Sequence, residues 1–189
     1  SVDAPLILGV DQEGAWSVLT KYTDTGPGNL ALGVVDDIKL TARQYQSMAL
    51  QMQALGYNTV LAPCVDVNSN PDNPIIGQRS FGAEPALVSR HSSAAVTAIL
   101  QTDMLACAKH YAAYGQAQAG RDYHSTDMSE RELWETYLPP FKASVDAGVA
   151  SFMTAFNDLN GVPATANNYL LQDILRQRWG YSGYVVTDY

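Results

Sequence analysis

Five short apolar runs, each handing over to a polar residue, recur along the 189 residues, and this recurrence most narrows what the chain can fold into. Residues 6–10 end at Asp11, 59–65 at Asp66, 104–108 at Lys109 and His110, 149–154 lead to Asn157, and 184–187 end at Asp188. Runs of this length, rich in β-branched, aromatic or small residues and bounded by turn formers, predict buried strands. The stretches between them carry helical signals. Thr41 with Gln44 forms a capping-box pattern; Tyr45, Met48, Met52 and Leu55 keep helical spacing, and Gly56 supplies a stop. Residues 87–100 predict a second helix. Ser129 with Glu132 opens a third, which Pro139 and Pro140 interrupt. Asn167 or Asn168 caps a fourth, with Leu170, Leu171, Ile174, Leu175 and Trp179 on its apolar face. Gly26, Pro27 and Gly28 mark a loop, and residues 68–85 a long one.

Strict alternation of strand and helix predicts a parallel sheet with right-handed crossovers. An open doubly wound sheet would concentrate its site at one switch point, whereas here every strand is tipped by polar groups, as in a (β/α)8 barrel. No glycine-rich phosphate fingerprint follows the first run. A full barrel needs eight strands and about 250 residues, so the predicted fold is α/β, an incomplete TIM barrel. Eleven Lys and Arg against nineteen Asp and Glu give a net charge of −8. That balance argues against nucleic acid or an anionic membrane surface as partner, and is indifferent to a neutral polyol. No apolar run approaches the ~20 residues that span a bilayer. Cys64 and Cys107 read as two buried small hydrophobes. The chain begins at Ser1 and reads as processed or excerpted.

On their own the polar tips leave alternatives open: Asp188 could cap a following helix, and Lys109 could form a Schiff base. Seven segments in order add a resemblance. They are residues 9–14, 61–67, 70–82, 108–111, 137–141, 156–161 and 179–189, with Gly9-Val10-Asp11-Gln12-Glu13-Gly14, Ala108-Lys109-His110-Tyr111 and Thr187-Asp188-Tyr189 the most telling. Together they resemble the amino-terminal barrel domain of glycoside hydrolase family 3, in its β-glucosidase and β-xylosidase branch. The resemblance implies an exo-acting, retaining β-glycosidase that needs no metal or organic cofactor and acts on a carbohydrate. Asp188 matches the nucleophile, and Asp11, Arg79, Lys109 and His110 match residues that bind the sugar's hydroxyls. Met153 is expected in the pocket wall, touching substrate, or in the core. Residues 1–189 would be part of one barrel domain, with the remaining barrel elements and a following domain in a carboxyl-terminal portion of the same enzyme.

Retention needs two carboxyl groups about 5–5.5 Å apart. In the resembled branch the acid/base lies in that following domain, and the isolated chain would then lack turnover. His124 with Asp127 is a weaker substitute within the chain. Phe156 stands where the family often has a tyrosine supporting the nucleophile, and Ala15 replaces a glycine. Asp66 and Glu13 read as structural, Asp66 through turn hydrogen bonds with Asn68 and Asn70. Two other readings remain: a Schiff-base lyase on Lys109, and a non-catalytic sugar-binding remnant.

Overall fold

A computed structural model describes residues 6–116 and 125–189. Five strands, β1 (Gly9–Val10), β2 (Thr59–Val60), β3 (Leu105–Tyr111), β4 (Ser151–Thr154) and, last in the chain, Tyr184–Val186, form one sheet in sequence order. Every neighbouring pair is parallel, with Gly9 opposite Thr59, Thr59 opposite Leu105, Cys107 opposite Ser151 and Ser151 opposite Tyr184. The sheet curls into a half-barrel with helices outside, the predicted incomplete barrel. An antiparallel hairpin, β5 (Asp158–Leu159) and β6 (Val162–Pro163), turns at Asn160-Gly161, so the last sheet strand is β7.

The helices are α1 (Asn29–Val35), α2 (Ile38–Ala54), α3 (Pro85–Leu100), α4 (Glu130–Glu132), α5 (Pro139–Asp146) and α6 (Tyr169–Arg178), the last with π-type turns. The helical run from Glu130 ends at Tyr137, and α5 starts anew at Pro139, so the expected interruption is present; the two prolines sit in the first turn of α5, where a missing N–H costs nothing. Helix α2 begins at Ile38, three residues before the Thr41 capping-box pattern. Asp37 caps it by accepting from the Lys39 N–H, while Thr41 is buried and bonds His91 Nδ1 at 2.8 Å.

Helix α1 follows directly on the Gly26-Pro27-Gly28 loop, in a stretch without a helical signal of its own. Asn29 holds it: its Nδ2 donates to the Arg79 carbonyl at 2.6 Å, and its Oδ1 accepts from Tyr45 at 2.7 Å. Gly33 lets α1 press against the Phe81 carbonyl, which a Cβ would meet at 1.8 Å. The core fills the space between sheet and helices: Val60, Ala62, Ala106, Ala108 and Phe152 from the strands, Met48, Met52, Val96 and Ile99 from α2 and α3. An aromatic group of Tyr111, Phe141, Phe152 and Trp179 closes the β4 side. Burying such side chains is worth roughly 1.5–3 kcal/mol each and fixes where the strand ends point.

Candidate active site

The carboxyl ends of β1, β2, β3 and β7 converge on one cavity of about 490 Å³. Asp11, Arg79, Lys109, His110 and Asp188 all line it, so the structure brings five of the six expected site residues together. Met153 is not among the lining residues: it is buried in β4, opposite Lys109 and Val186. Of the two expected positions, wall or core, Met153 takes the core one within the sheet.

Strand β3 runs through Lys109 and His110 to Tyr111 and does not stop before them. Successive side chains of a strand normally face opposite sides. Here a register shift between Lys109 and Tyr111 breaks that alternation, and both Lys109 and His110 reach the cavity.

Two cations and two carboxylates make the floor. Lys109 Nζ donates to Asp11 Oδ1 at 2.5 Å and to Glu13 Oε1 at 2.6 Å. Arg79 grips the same Glu13 with both prongs, Nε to Oε2 at 2.8 Å and Nη2 to Oε1 at 2.9 Å. Glu13, read from sequence as structural, is thus the shared anchor of both cavity-lining cations. Burial alone would push its carboxyl up, but Lys109 and Arg79 outweigh that and hold it down at about 2. Burial likewise pulls against the charge on Lys109, and Glu13 and Asp11 together raise it above its ordinary value. Arg79 is raised against burial in the same way, chiefly by its bonds to Glu13.

His110 is oriented from behind. Asp66 Oδ2 accepts from the His110 backbone N–H at 3.0 Å and bonds ring Nδ1 at 2.7 Å. Arg79 Nη2 lies 3.1 Å from His110 Nε2. A guanidinium can only donate, so Nε2 presents its lone pair and the ring proton sits on Nδ1, donated to Asp66. Asp66 therefore serves the site through His110, and the expected turn bonding to Asn68 and Asn70 gives way to this role. The Cys64 thiol also donates to Asp66 Oδ2 at 3.2 Å.

Among the described residues, Cys64, Asp66 and His110 are the group whose ligand atoms lie close enough to hold a metal. Burial and Asp66 raise the Cys64 thiol well above its usual range. Here Asp66 Oδ2 joins the other two, accepting from the thiol and bonding ring Nδ1.

Asp188 approaches from the opposite side, its Oδ2 3.8 Å from His110 Nε2. Its Oδ1 accepts from the Tyr189 N–H at 2.8 Å, and the Tyr189 hydroxyl crosses to donate to Asp11 Oδ2 at 2.9 Å. Tyr114 stands edge-on to His110 and to Phe156, completing an aromatic side of the cavity. Neither Tyr114 nor Tyr189 carried a sequence signal for this. Gly115 does register in hindsight: a Cβ there would meet the Val67 carbonyl at 2.1 Å, so only glycine lets this loop close on the β2 tip. His124 falls outside the described residues, and Asp127 is exposed and not among the cavity-lining residues.

The arrangement offers acceptors at Asp11 and donors at Arg79 and Lys109 to a polyhydroxylated ring, with His110 and Asp188 lining the same cavity. The family model described as the glycosyl hydrolase family 3 N terminal domain matches residues 1–189. The periplasmic beta-glucosidase of Salmonella typhimurium is 35% identical over 170 residues, covering 85% of this chain and 22% of that protein. A beta-xylosidase of Formosa agariphila is 36% identical over 186 residues, covering 93% of this chain and 26% of that one. Among solved structures, a mutant beta-glucosidase from Listeria innocua in complex with laminaribiose superposes with a TM-score of 0.92 at 32% identity, covering 100% of this chain and 26% of the other. The chain spans about a quarter of the length of these relatives.

Proposed function

Because this chain belongs to glycoside hydrolase family 3, we propose that it is the sugar-gripping, nucleophile-bearing part of a retaining exo-β-glycosidase of the glucosidase and xylosidase kind. The observation that carries this reading is the single cavity shared by Asp188 and the clasp of Asp11, Arg79, Lys109 and His110. In the proposed reaction, Asp188 attacks the anomeric carbon and the glycosidic C–O bond breaks. A general acid protonates the departing oxygen, leaving a glycosyl ester on Asp188. Water, deprotonated by the same group now acting as base, hydrolyses the ester and restores the original configuration.

Asp11, Glu13 and Asp66 are committed to Lys109, Arg79 and His110, which suits them to binding and positioning rather than to proton transfer. The resemblance to the glucosidase and xylosidase branch implies that the acid/base lies in a following part of a longer polypeptide, and the isolated 189 residues are expected to lack turnover. Lys109 supports this reading over the Schiff-base alternative. Two carboxylates hold it as an ammonium, whereas a Schiff-base lysine needs its proton off near neutrality.

Replacing Asp188 by Ala in the full-length enzyme should lower kcat by more than about a thousandfold, the scale seen when a covalent nucleophile is removed. Retention of near-normal turnover would contradict the assignment.

A further inference from the structure

Behind the cavity floor lies a sulfur and a spare carboxylate oxygen that the proposed reaction does not use. Cys64 and Asp66 follow β2, the tip of β3 brings His110 against both, and all three are buried. Their ligand atoms, a sulfur, an oxygen and a ring nitrogen, lie within 4.8 Å of one another. Backbone pairing sets this spacing: Cys64 bridges Lys109 in parallel, and the Val65 N–H donates to the Lys109 carbonyl at 2.7 Å.

Asp66 uses only one oxygen there. Its Oδ2 accepts from the thiol at 3.2 Å, from ring Nδ1 at 2.7 Å and from the His110 N–H at 3.0 Å. Its Oδ1 is buried and has no hydrogen-bond partner among the described residues. Buried carboxylate oxygens normally find a donor or an ion.

We propose that Cys64, Asp66 and His110 form an inhibitory site for a thiophilic divalent cation of the Zn²⁺ class. Thiolate, imidazole and carboxylate are the donors such an ion takes, and Asp66 Oδ1 stands ready as a further one. Mg²⁺ and Ca²⁺ require oxygen ligands and are excluded by the same set. Thiolate and carboxylate together match the two positive charges of the ion.

On binding, the thiol proton leaves to solvent and the sulfur bonds the cation. Nδ1 of His110 gives its lone pair to the ion, so the ring proton moves to Nε2. There it meets Arg79 Nη2, which stands at 3.1 Å and can only donate. Two donors cannot share that contact, so the cation sets His110 against Arg79, and both line the sugar cavity. Cation and sugar therefore oppose each other, and the opposition is reciprocal. The proposal makes the cation an inhibitor and not a cofactor, and rests on the glycosidase reading for its effect on turnover.

The test uses the full-length enzyme as wild type, Cys64→Ser and Cys107→Ser, in a buffer that does not chelate metal. Cys64→Ser keeps a hydroxyl for Asp66 and removes the soft ligand. Hydrolysis of an aryl β-glycoside is followed against ZnCl₂ and CdCl₂, each variant scaled to its own metal-free rate. Cd²⁺ is also titrated through its ultraviolet thiolate charge-transfer band, with and without glucose. In the wild type both ions should raise KM, MgCl₂ should not, and glucose should weaken Cd²⁺ binding. In Cys64→Ser the inhibition constant should rise at least about tenfold, equivalent to about 1.4 kcal/mol, while Cys107→Ser should follow the wild type. No inhibition, or inhibition that persists unchanged in Cys64→Ser, would overturn the proposal. Should that variant fail to fold, a wild-type band indifferent to glucose would overturn it equally. A wild-type enzyme that cleaves no glycoside would instead overturn the reading beneath, while the band still reports the cation.

Discussion

At the floor of the pocket Glu13 holds two cations, Lys109 holds two carboxylates, and Asp66 fixes both the backbone and the ring of His110. At the end of β7, among the described residues, Asp188 has the Tyr189 N–H on one oxygen and His110 at 3.8 Å from the other. Among the described residues its strand pairs with β4, and Tyr184, Val185 and Val186 are all half-buried. The contrast lies in cross-linking. In the proposed function, the groups that hold a sugar in one pose are tied together before it arrives. Asp188, the proposed nucleophile, has no comparably short ion pair among the described residues.

If the floor is a preformed clasp, its shared anchor should matter most. Glu13→Gln leaves Lys109 and Arg79 short of a buried counter-charge. Breaking a buried pair from one side costs about 3–5 kcal/mol, so the variant's thermal midpoint should fall well below wild type. An unchanged midpoint would show that the clasp carries little. Asp66→Asn should act more weakly and more selectively. It removes the carboxylate that fixes the His110 ring proton on Nδ1, a charged hydrogen bond worth about 1.5–3 kcal/mol. Sugar affinity measured by calorimetry should fall roughly tenfold or more, with stability less affected than in Glu13→Gln. The reverse order of the two variants in stability would break the distinction between anchor and orienter.

The smallest effect is on pH dependence. Glu13 is lowered from its usual 4.5 to about 2, so its contribution is complete above about pH 4.5 and is lost as pH falls towards 2. Lys109 is raised above its usual 10.5, so its contribution is complete below that value and fades only at higher pH. Chemical denaturation followed from pH 6 to pH 3 should therefore show stability falling below about 4.5, and Glu13→Gln should flatten that fall.

The same contrast explains what could be read from the amino acids alone. Strand order and the barrel class were legible because five apolar runs carry their polar tips at regular intervals, a pattern that survives without knowing any contact. Lys109 and His110 were legible as chemistry-bearing tips. Glu13 and Asp66 were not, because a sequence displays carboxylates without saying which cations will close on them. The presence of two buried-site cations could have prompted the search for two anions. Wall and core could not be told apart for Met153 because a run of four strand positions buried on both faces, Ser151–Thr154, hides which side chains face the mouth. Helix α1 was missed because Gly33 and the valines beside it lower local helix propensity, and tertiary bonds from Asn29 override it.

The most direct test of the central claim is to treat the full-length enzyme with a 2-deoxy-2-fluoro-glycoside inactivator and locate the label by peptide mass spectrometry. The account predicts a single glycosyl adduct on the Asp188 carboxylate, blocked by prior occupancy of the pocket with sugar. An adduct on Lys109 or on any other residue, with Asp188 unmodified in the inactivated enzyme, would contradict it.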